Sequence, residues 1–383
     1  MRSGVRSYIG AGVHVAIGRK PAVLSGSERI YLDHAATTPM LPEARAAVAA
    51  AMEAWANPSS PHADGRRARA AFEDARRTIA EALGWRHDVI LTSGASEAAQ
   101  IAAARAKVPG RIVGATEHDA VIAAMGDAAT VLPVDGNGLI DFDALERELA
   151  SGPALVAVQL VNNETGVIQP IEPIQEMVRS TGSLLLADCA QAAGKIALPE
   201  ADFIAISGHK FGGQPGVGAL LVRDLSQLEA SGGQERGYRR GTENWPAVAG
   251  MAAALATRAF ADAMPRLASL RQRLEEQIVA NGGKVIASSA PRIATIGGYA
   301  MPGVASASQL VQLDLAGISV SAGSACSSGS MKPSRVLGAM GLNPEITGSV
   351  IRVSFGPSTS EAEVESFTSE WRRIRDRASK AAA

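Results

Sequence analysis

A lysine placed directly after an apolar run is the first residue of this sequence that could do chemistry. Lys210 follows the mostly apolar run 201–206 and the short polar stretch Ser207-Gly208-His209. Lysine is almost never fully buried without a partner, and desolvation lowers its pKa and leaves a nucleophilic amine that can form a Schiff base. Taken alone, the pattern fits equally well a surface lysine whose stem lies along apolar neighbours while its charge stays in water.

Two other segments place polar groups where predicted strands end. The predicted strand 88–92 leads through small residues into a predicted helix, 96–107, whose free N-terminal N–H groups can bind a phosphate. Asp188 ends the apolar run 184–187, and a buried carboxylate requires a cation such as a protonated pyridine nitrogen. Taken singly, these segments also fit a serine N-cap and an aspartate that caps the next helix.

The three segments are expected to meet at one edge of a sheet. In open α/β proteins, ligands bind outside the carboxyl ends of the strands. Lys210 and Asp188 follow neighbouring predicted strands, and the phosphate-binding helix start follows a third. Together they predict a pocket for pyridoxal phosphate.

The surrounding chain predicts the elements that hold this pocket. Between about residues 66 and 260, short apolar runs alternate with alanine-rich helical stretches, a pattern typical of a mostly parallel sheet covered on both faces. The predicted strands are 88–92, 112–115, 131–134, 155–161, 183–187, 203–206 and 217–222. Beyond residue 260 a helix at 264–281, a strand at 350–354 and a helix at 361–379 predict a smaller α+β domain.

Composition limits the class of protein. A chain of 383 residues with 46% apolar residues and a formal net charge of -1 is typical of a two-domain globular protein, with no basic excess for direct nucleic-acid binding. No apolar stretch approaches the roughly 20 residues of a membrane span. The two cysteines lie far apart and the histidines show no metal-ligand spacing, so no resident metal site is predicted. Residues 1–27 are predicted to be a flexible leader; a cytoplasmic location is expected, and organelle targeting stays open.

Ten short motifs follow one another between residue 30 and about residue 370. They are YLDHAATTP (31–39), NPSSPH (57–62), TSGASE (92–97), TEH (116–118), NNETGVIQ (162–169), DCAQ (188–191), SGHK (207–210), RRGTEN (239–244), SAGSACSSG (321–329) and IRVSFG (351–356). In this order they resemble the cysteine desulfurases of the iron–sulfur-assembly and nitrogen-fixation type, within the class V aminotransferase family.

The resemblance implies an α/β protein of the pyridoxal-phosphate-dependent transferase fold type I. Its large domain, with a mostly parallel seven-stranded sheet, would span 43–258. The smaller α+β domain would comprise 28–42 and 259–383 and carry the loop with Cys326. A homodimer with shared active sites is implied as well.

The resemblance also implies roles for individual residues. Lys210 would hold the cofactor as a Schiff base, Asp188 would pair with the ring nitrogen, and Gln191 would bond the ring hydroxyl. His118 would stack on the ring and shuttle protons. The remaining cofactor-binding residues would be Ala95, Ser96, Ser207, His209, Asn163 and, from the second subunit, Thr242. Asn163 and Arg352 would hold the substrate carboxylate, which a bidentate arginine suits.

Cys326 distinguishes this family from other users of the same cofactor. It lies among Ser, Gly and Ala, a composition that predicts a mobile loop, where a thiolate could attack the substrate sulfur. The implied reaction converts L-cysteine to L-alanine and passes the sulfur as a persulfide to an acceptor or iron–sulfur scaffold protein. In such a transfer Cys326 could transiently hold an iron–sulfur cluster.

Other readings stay open at this point. Selenocysteine lyase or another class V aminotransferase would use the same cofactor, and a regulatory platform would keep the fold alone. Cys189, His34 and His62 are expected to be structural or, for the histidines, to line the substrate entrance. The segment 294–301 matches the family strand poorly, so the geometry of the smaller domain is expected to differ.

Overall fold

The computed structural model describes residues 29–323 and 333–382. The predicted leader and the segment that contains Cys326 lie outside these ranges. The described strands are β1 Ile30–Tyr31, β2 Asp88–Thr92, β3 Gly110–Gly114, β4 Thr130–Leu132, β5 Ala154–Gln159, β6 Leu184–Asp188, β7 Phe203–Ser207, β8 Gly218–Val222, β9 Lys284–Val285, β10 Ile296–Ala300, β11 Ile318–Ser319 and β12 Val350–Ser354.

Helices separate most of these strands. They are α1 Pro42–Glu53, α2 Ala63–Ala82, α3 Ala95–Arg105, α4 Asp119–Met125, α5 Phe142–Leu149, α6 Ile171–Ser180, α7 Trp245–Ala256, α8 Ala259–Ala280, α9 Ser306–Leu315, α10 Arg335–Ala339, α11 Pro344–Thr347 and α12 Glu361–Ala382. A short 3₁₀ turn, Gly208–Lys210, follows β7 directly.

A seven-stranded sheet forms the centre of the larger part of the molecule. Its strand order is β2-β8-β7-β6-β5-β3-β4, and β8 is antiparallel to both of its neighbours while the remaining pairs are parallel. The strands β5 and β7 are buried along their whole length. Their continuous apolar sequences reflect burial on both faces, as expected of a parallel sheet. The predicted α/β fold with a mostly parallel seven-stranded sheet is confirmed.

Two cores pack against the two faces of this sheet. One contains Phe72 from α2 together with Val156 of β5 and Ile204 of β7. The other is built from alanines of α3 against Leu155 and Phe203. The alternation of side chains along a strand sends neighbouring residues to opposite faces, which explains why Leu155 and Val156 enter different cores.

A second sheet organises the C-terminal part of the chain. It is antiparallel, with β10 between β12 and β9. Leu32, next to the N-terminal β1, enters the same core as Trp371 of α12. The division of the chain at residues 43–258, with 28–42 joining 259–383, stays a prediction.

The segment 294–301, whose sequence matches the family strand poorly, nevertheless contains a strand. Ile296–Ala300 forms β10, which is buried throughout and pairs over its five residues with β12. The glycines at 297 and 298 weaken the sequence signal because they lack side chains that reveal a strand pattern. Pairing on both sides overrides that weak local preference.

In the described ranges, no single helix is long and apolar enough to cross a bilayer. The pair α7 and α8, bent by 49°, reaches that length and composition only when both helices are taken together.

A glycine in β8 sets the distance between the sheet and the loop after β2. A Cβ atom on Gly218 would lie 2.3 Å from the carbonyl oxygen of Ile206 and 2.6 Å from Cα of Gly94. Both are backbone atoms, so neither can rotate away. Gly218 therefore permits the loop before α3 to approach the central strands closely.

We expect Gly218→Ala to destabilise the protein by about 2 kcal/mol, because the added methyl group overpacks a backbone contact. Urea unfolding followed by circular dichroism would measure the change. Gly338→Ala is the matched control: it lies in α10, a Cβ there meets nothing within 4 Å, and alanine is the better helix former. Equal stability of the two variants would contradict the close-approach argument.

Candidate active site

The carboxyl ends of β2, β6 and β7 open onto one cavity of about 820 Å³. Most of the residues predicted from the sequence lie in its wall. They are Ala95, Ser96, His118, Asn163, Asp188, Gln191, Ser207, His209, Lys210 and Arg352. Parallel strands place their carboxyl ends at the same edge, and this brings together residues more than 100 positions apart in the chain.

Lys210 is held in the cavity by backbone carbonyl groups. Its Nζ donates to the carbonyl oxygens of Ala35 and Ala36 at 2.7 and 2.9 Å. Burial, and then the Arg352 guanidinium, lower the pKa of Lys210 to about 8, although Asp188 and Asp33 act in the opposite direction. A substantial fraction of this amine is therefore neutral and nucleophilic at mildly alkaline pH.

The start of α3 supplies a set of backbone donors. Ala95 and Ser96 form the first turn of α3, and Ser93 and Gly94 precede it in the cavity wall. His209 faces the same region, where its Nδ1 lies 3.2 Å from Thr37 Oγ1. Burial and the neighbouring Lys210 lower the pKa of His209 to about 4, so its ring is neutral at pH 7. A phosphate at this end would thus meet helix N–H groups and a neutral imidazole.

Asp188 stands at the end of β6 beside a second, buried acid. Its Oδ1 accepts from the backbone N–H of Ala190 at 2.9 Å. Glu117 is 1% exposed; its Oε1 accepts from the N–H of Gln159 at 2.6 Å, and its Oε2 has no partner among the described residues. Burial, and then the charge of Asp188, raise the pKa of Glu117 well above its usual range. Burial also raises the pKa of Asp188, although the N–H of Ala190, His118 and Lys210 act in the opposite direction. Among the described residues, Glu117 has no such cation close to it other than Arg335. Of the two acids, Asp188 is therefore the one whose negative charge the site supports.

His118 lies at the mouth of the cavity, where it caps α4. Its Nδ1 accepts from the backbone N–H of Ala120 at 3.1 Å, so the neutral ring carries its proton on Nε2. Arg335 of α10 braces this turn: its Nε lies 3.3 Å from Asp119 Oδ1, and it donates to the carbonyl oxygens of Ala115 and Glu117. The capping bond fixes which imidazole nitrogen can donate a proton.

Arg352 brings a cation from β12 to the opposite wall. It is 5% exposed, and its Nη2 donates to Asp33 Oδ1 at 2.7 Å while Nη1 donates to the carbonyl oxygen of Asn163 at 3.2 Å. Its Nε is buried and has no partner in the described part of the chain. The planar guanidinium can bind a small carboxylate, which would share it with Asp33 or displace that contact.

Two predicted residues are not placed in this wall. Thr242 is exposed and does not line the cavity; its predicted contact with the active site of a second subunit stays a prediction. Cys326 lies outside the described residues. Gly323 and Pro333, the nearest described residues on either side of it, both line the cavity.

Several contributors were not assigned a role from the sequence. Glu117 stands inside the TEH motif, and only its burial beside Asp188 reveals its protonation. Lys195 follows Gln191 by four positions and is buried behind it. The carbonyl groups of Ala35 and Ala36 give no sequence signal because any residue type could supply them.

The residues expected to be inert are placed as follows. Cys189 is fully buried, and burial raises the pKa of its thiol well above the usual range, which makes it unreactive. His34 is 7% exposed, and burial lowers its pKa to about 4. The side chain of His62 caps α2 by accepting from the N–H of Gly65.

The chemistry of the wall fits pyridoxal phosphate. An amine with a lowered pKa, Lys210, suits its aldehyde, and a carboxylate at a strand end, Asp188, suits its ring nitrogen. The N-terminus of α3 suits its phosphate. A cavity of about 820 Å³ is large enough for the cofactor together with a small amino acid.

Comparisons with known proteins agree with this chemistry. A cysteine desulfurase of Cereibacter sphaeroides is 37% identical over 362 residues, which cover 88% of this chain and 93% of that protein. An IscS-like cysteine desulfurase of Mycobacterium tuberculosis is 38% identical over 369 residues, with coverage of 88% and 93%. The X-ray structure of a NifS-like protein from Rickettsia africae has a TM-score of 0.82 at 29% identity, covering 91% of this chain and 99% of that one.

The family model described as aminotransferase class-V matches residues 30–367. This span contains the seven-stranded sheet and every described cavity residue named above. Members of the family depend on pyridoxal phosphate, in agreement with the amine, carboxylate and helix N-terminus in this cavity. The chain belongs to the class-V aminotransferase family.

Proposed function

We propose that this protein is a pyridoxal-phosphate-dependent cysteine desulfurase that converts L-cysteine to L-alanine and keeps the sulfur as a persulfide on Cys326. One observation carries the proposal: a single cavity joins Lys210, Asp188 and the N-terminus of α3 to the buried Arg352. The two relatives at 37% and 38% identity, both named cysteine desulfurases, support the choice of reaction.

The charged groups of the cavity divide the work of the reaction. Pyridoxal phosphate, when bound, supplies a ring that takes up the electrons released at the substrate α-carbon. Asp188 would pair with the ring nitrogen, where a cation favours its charged form, and the raised pKa of Glu117 reduces the repulsion from a second negative charge beside it. Lys210, with its pKa of about 8, can hold the cofactor. Once its amine is released from the cofactor, Lys210 can also take a proton from the α-carbon of the substrate.

Substrate orientation falls to the opposite wall. Arg352 is held by Asp33 and by the carbonyl oxygen of Asn163, which fixes the plane of its guanidinium. A substrate carboxylate bound there has a fixed position relative to Lys210, since both side chains line the same cavity. His118 at the cavity mouth can deliver the proton on Nε2 to the departing alanine.

The sulfur step belongs to Cys326. Its thiolate attacks the sulfur atom of bound cysteine, so that a new S–S bond forms as the substrate C–S bond breaks, and the carbon takes up a proton to become alanine. The product on the protein is a persulfide, whose outer sulfur an acceptor protein or small thiol then removes.

Described contacts fix both flanks of the segment that carries Cys326. On one side Ser321 Oγ donates to Asp33 Oδ2 at 3.2 Å. On the other, Ser334 Oγ donates to Glu164 Oε2 at 2.6 Å. These contacts support delivery of the thiol to the cavity, because both anchoring acids belong to segments that contribute to its wall.

The downstream partners are part of the proposal. A sulfur-acceptor or iron–sulfur scaffold protein would receive the persulfide, in keeping with the relatives' activity, and Cys326 could hold a cluster transiently during that transfer. The enzyme would work as a homodimer, in which Thr242, exposed on one subunit, is free to reach the phosphate site of the other. The cytoplasmic location stays a prediction.

The two cysteines provide a direct test. We expect Cys326→Ala to lower alanine and sulfide release from L-cysteine by at least about 100-fold while the yellow colour of the bound cofactor persists. Cys189→Ala is the matched control, and it should keep normal turnover because that thiol is buried and unreactive. Stoichiometric alanine and sulfide assays, with absorbance spectra, measure both.

Other results would revise the assignment. A yellow Cys326→Ala enzyme with full turnover would indicate a different reaction on the same cofactor, such as that of an aminotransferase. Failure of the wild-type protein to turn yellow with pyridoxal phosphate would contradict the pocket itself.

The lowered pKa of Lys210 makes a second prediction. The amine reacts in its neutral form, so uptake of pyridoxal phosphate by cofactor-free protein should accelerate with pH and level off above about 8. Arg352 lowers this pKa, so Arg352→Gln should move the midpoint to higher pH; Asp33 raises it, so Asp33→Asn should move the midpoint to lower pH. Stopped-flow absorbance measures the rates.

Arg335→Gln is the control for this series. Arg335 lines the cavity but is not among the charges that shift the pKa of Lys210, so its midpoint should match the wild type. A wild-type midpoint near the ordinary lysine value, or one that Arg352→Gln leaves in place, would show that the charges of the wall do not control the amine.

A further inference from the structure

A buried lysine behind the cavity has no part in the chemistry described so far. Lys195 is 4% exposed, and no carboxylate among the described residues forms an ion pair with it. Burying an ammonium group without a carboxylate is costly, because few polar contacts replace its lost hydration. Its few contacts therefore indicate what it does.

The contacts of Lys195 lead to the cavity wall. Its Nζ donates to Gln191 Oε1 at 3.3 Å and lies 5.1 Å from the centre of the Phe260 ring. Gln191 Nε2 in turn donates to the carbonyl oxygen of Ala35 at 2.8 Å. That same carbonyl oxygen accepts from Lys210 Nζ at 2.7 Å, so Lys195 and Lys210 are joined through one amide and one peptide group.

These two partners permit one orientation of the Gln191 amide. The Lys195 amine donates and so pairs with the amide oxygen, whereas the Ala35 carbonyl oxygen can only accept and so pairs with the amide nitrogen. A flipped amide would place its N–H₂ group against the amine and its oxygen against the carbonyl. Gln191 is 4% exposed, so water cannot readily repair those contacts.

We propose that Lys195 is a positioning residue, which holds the Gln191 amide so that its nitrogen, and not its oxygen, faces the ring hydroxyl of bound pyridoxal phosphate. This inference rests on the cofactor site of the proposed function. With the oxygen held by Lys195 and one N–H held by Ala35, the second N–H of Nε2 is the group left for the cofactor.

The charge state of Lys195 does not alter this role. Burial, and then Lys210, lower the pKa of Lys195 to about 7. The other titratable groups coupled to it are His34 and His209, whose pKa values are lowered to about 4, so both rings are neutral at pH 7. The neutral and the protonated amine both carry N–H groups, and either form can donate to Gln191. The neutral amine could also accept, and in that form the Ala35 carbonyl oxygen, which can only accept, excludes the flipped amide.

A cofactor analogue tests the proposal directly. Holoenzymes are reconstituted with pyridoxal phosphate or with its analogue lacking the ring hydroxyl, and the rate of cofactor loss to a trapping amine is measured for each. The ratio, defined as the rate of loss of the analogue divided by the rate of loss of pyridoxal phosphate, reports the contribution of the hydroxyl contact. We expect Lys195→Met and Gln191→Leu each to lower this ratio by roughly 3- to 10-fold, the range for loss of one hydrogen bond, with no further fall in the double variant.

Phe260→Leu is the matched control, because it removes the aromatic face under Lys195 and leaves the donor in place. Its ratio should equal that of the wild type. An unchanged ratio in Lys195→Met, or an equal fall in Phe260→Leu, would overturn the positioning role. A wild-type ratio near one would also overturn the positioning role, even if alanine release shows that the desulfurase is active. A wild-type ratio well above one without any alanine release would instead refute the proposed function alone.

The burial of Lys195 can be checked by stability in the same variants. Its folded pKa of about 7 lies below the unfolded value of 10.5, so between these pH values the unfolded chain binds more protons and wild-type stability rises with pH. Lys195→Met lacks this penalty. Its melting temperature relative to the wild type should therefore be highest at pH 7 and fall by a few degrees by pH 9.5.

A difference in melting temperature that does not change with pH would contradict this stability prediction, because it would show that burial does not lower the pKa of Lys195; the cofactor-loss ratio decides the positioning role. Lys195→Ala is the second variant should the methionine not be accommodated. It also removes the donor, and its cofactor-loss ratio is interpreted in the same way.

Discussion

Balance among buried charges is the constraint on which this cavity depends. The amine of Lys210 and the guanidinium of Arg352 line the same cavity. Arg352 lowers the pKa of Lys210, and Lys210 in turn lowers the pKa values of Lys195 and His209. Asp188 and Asp33 offset these positive charges, and burial, followed by the charge of Asp188, raises the pKa of Glu117. Charges interact strongly at this depth, so each group sets the protonation of the next.

Close backbone approach is what makes this balance possible. Gly218 lets the loop before α3 lie against β7 and β8, next to Ser207. Gly323 instead leaves room for a side chain, since a Cβ atom there would lie 2.3 Å from Glu164 Oε2. Gly218 therefore determines how near the phosphate end lies to the sheet, because a side chain at that position would hold the two backbones apart.

The strand ends of this fold could be predicted because parallel buried strands are continuous apolar runs. Asp188 closes β6, and Lys210 follows β7 in a single 3₁₀ turn, as expected from the sequence. The strand β10 and the helix α1 were not among the elements predicted from the sequence: the two glycines of β10 conceal a strand pattern, and the many alanines of α1 fit several elements. Local sequence is a weak guide where pairing or packing decides.

The electrostatic part of the site could not be predicted in the same way. Glu117 lies in a recognisable motif, yet its pKa is raised by burial in the folded protein and then by Asp188, which is 71 positions further along the chain. In the sequence Lys195 looks like an ordinary lysine after a turn. Only the folded structure shows that Lys195 contacts the Gln191 amide, whose nitrogen is bound to the Ala35 carbonyl oxygen. Such roles arise when the fold joins distant segments, and that information is absent from any short stretch of sequence.

Asp33 connects the two halves of the proposed reaction. One of its carboxylate oxygens accepts from Arg352 and the other from Ser321, which lies five positions before Cys326. A carboxylate that binds Arg352 would share the guanidinium with Asp33 or displace that contact, so substrate binding would act on a residue that also bonds Ser321. An aliphatic residue at position 33 would leave Arg352 more available to any anion and would remove an acceptor for Ser321. The same acid thus limits what the arginine binds and fixes where the segment with Cys326 begins.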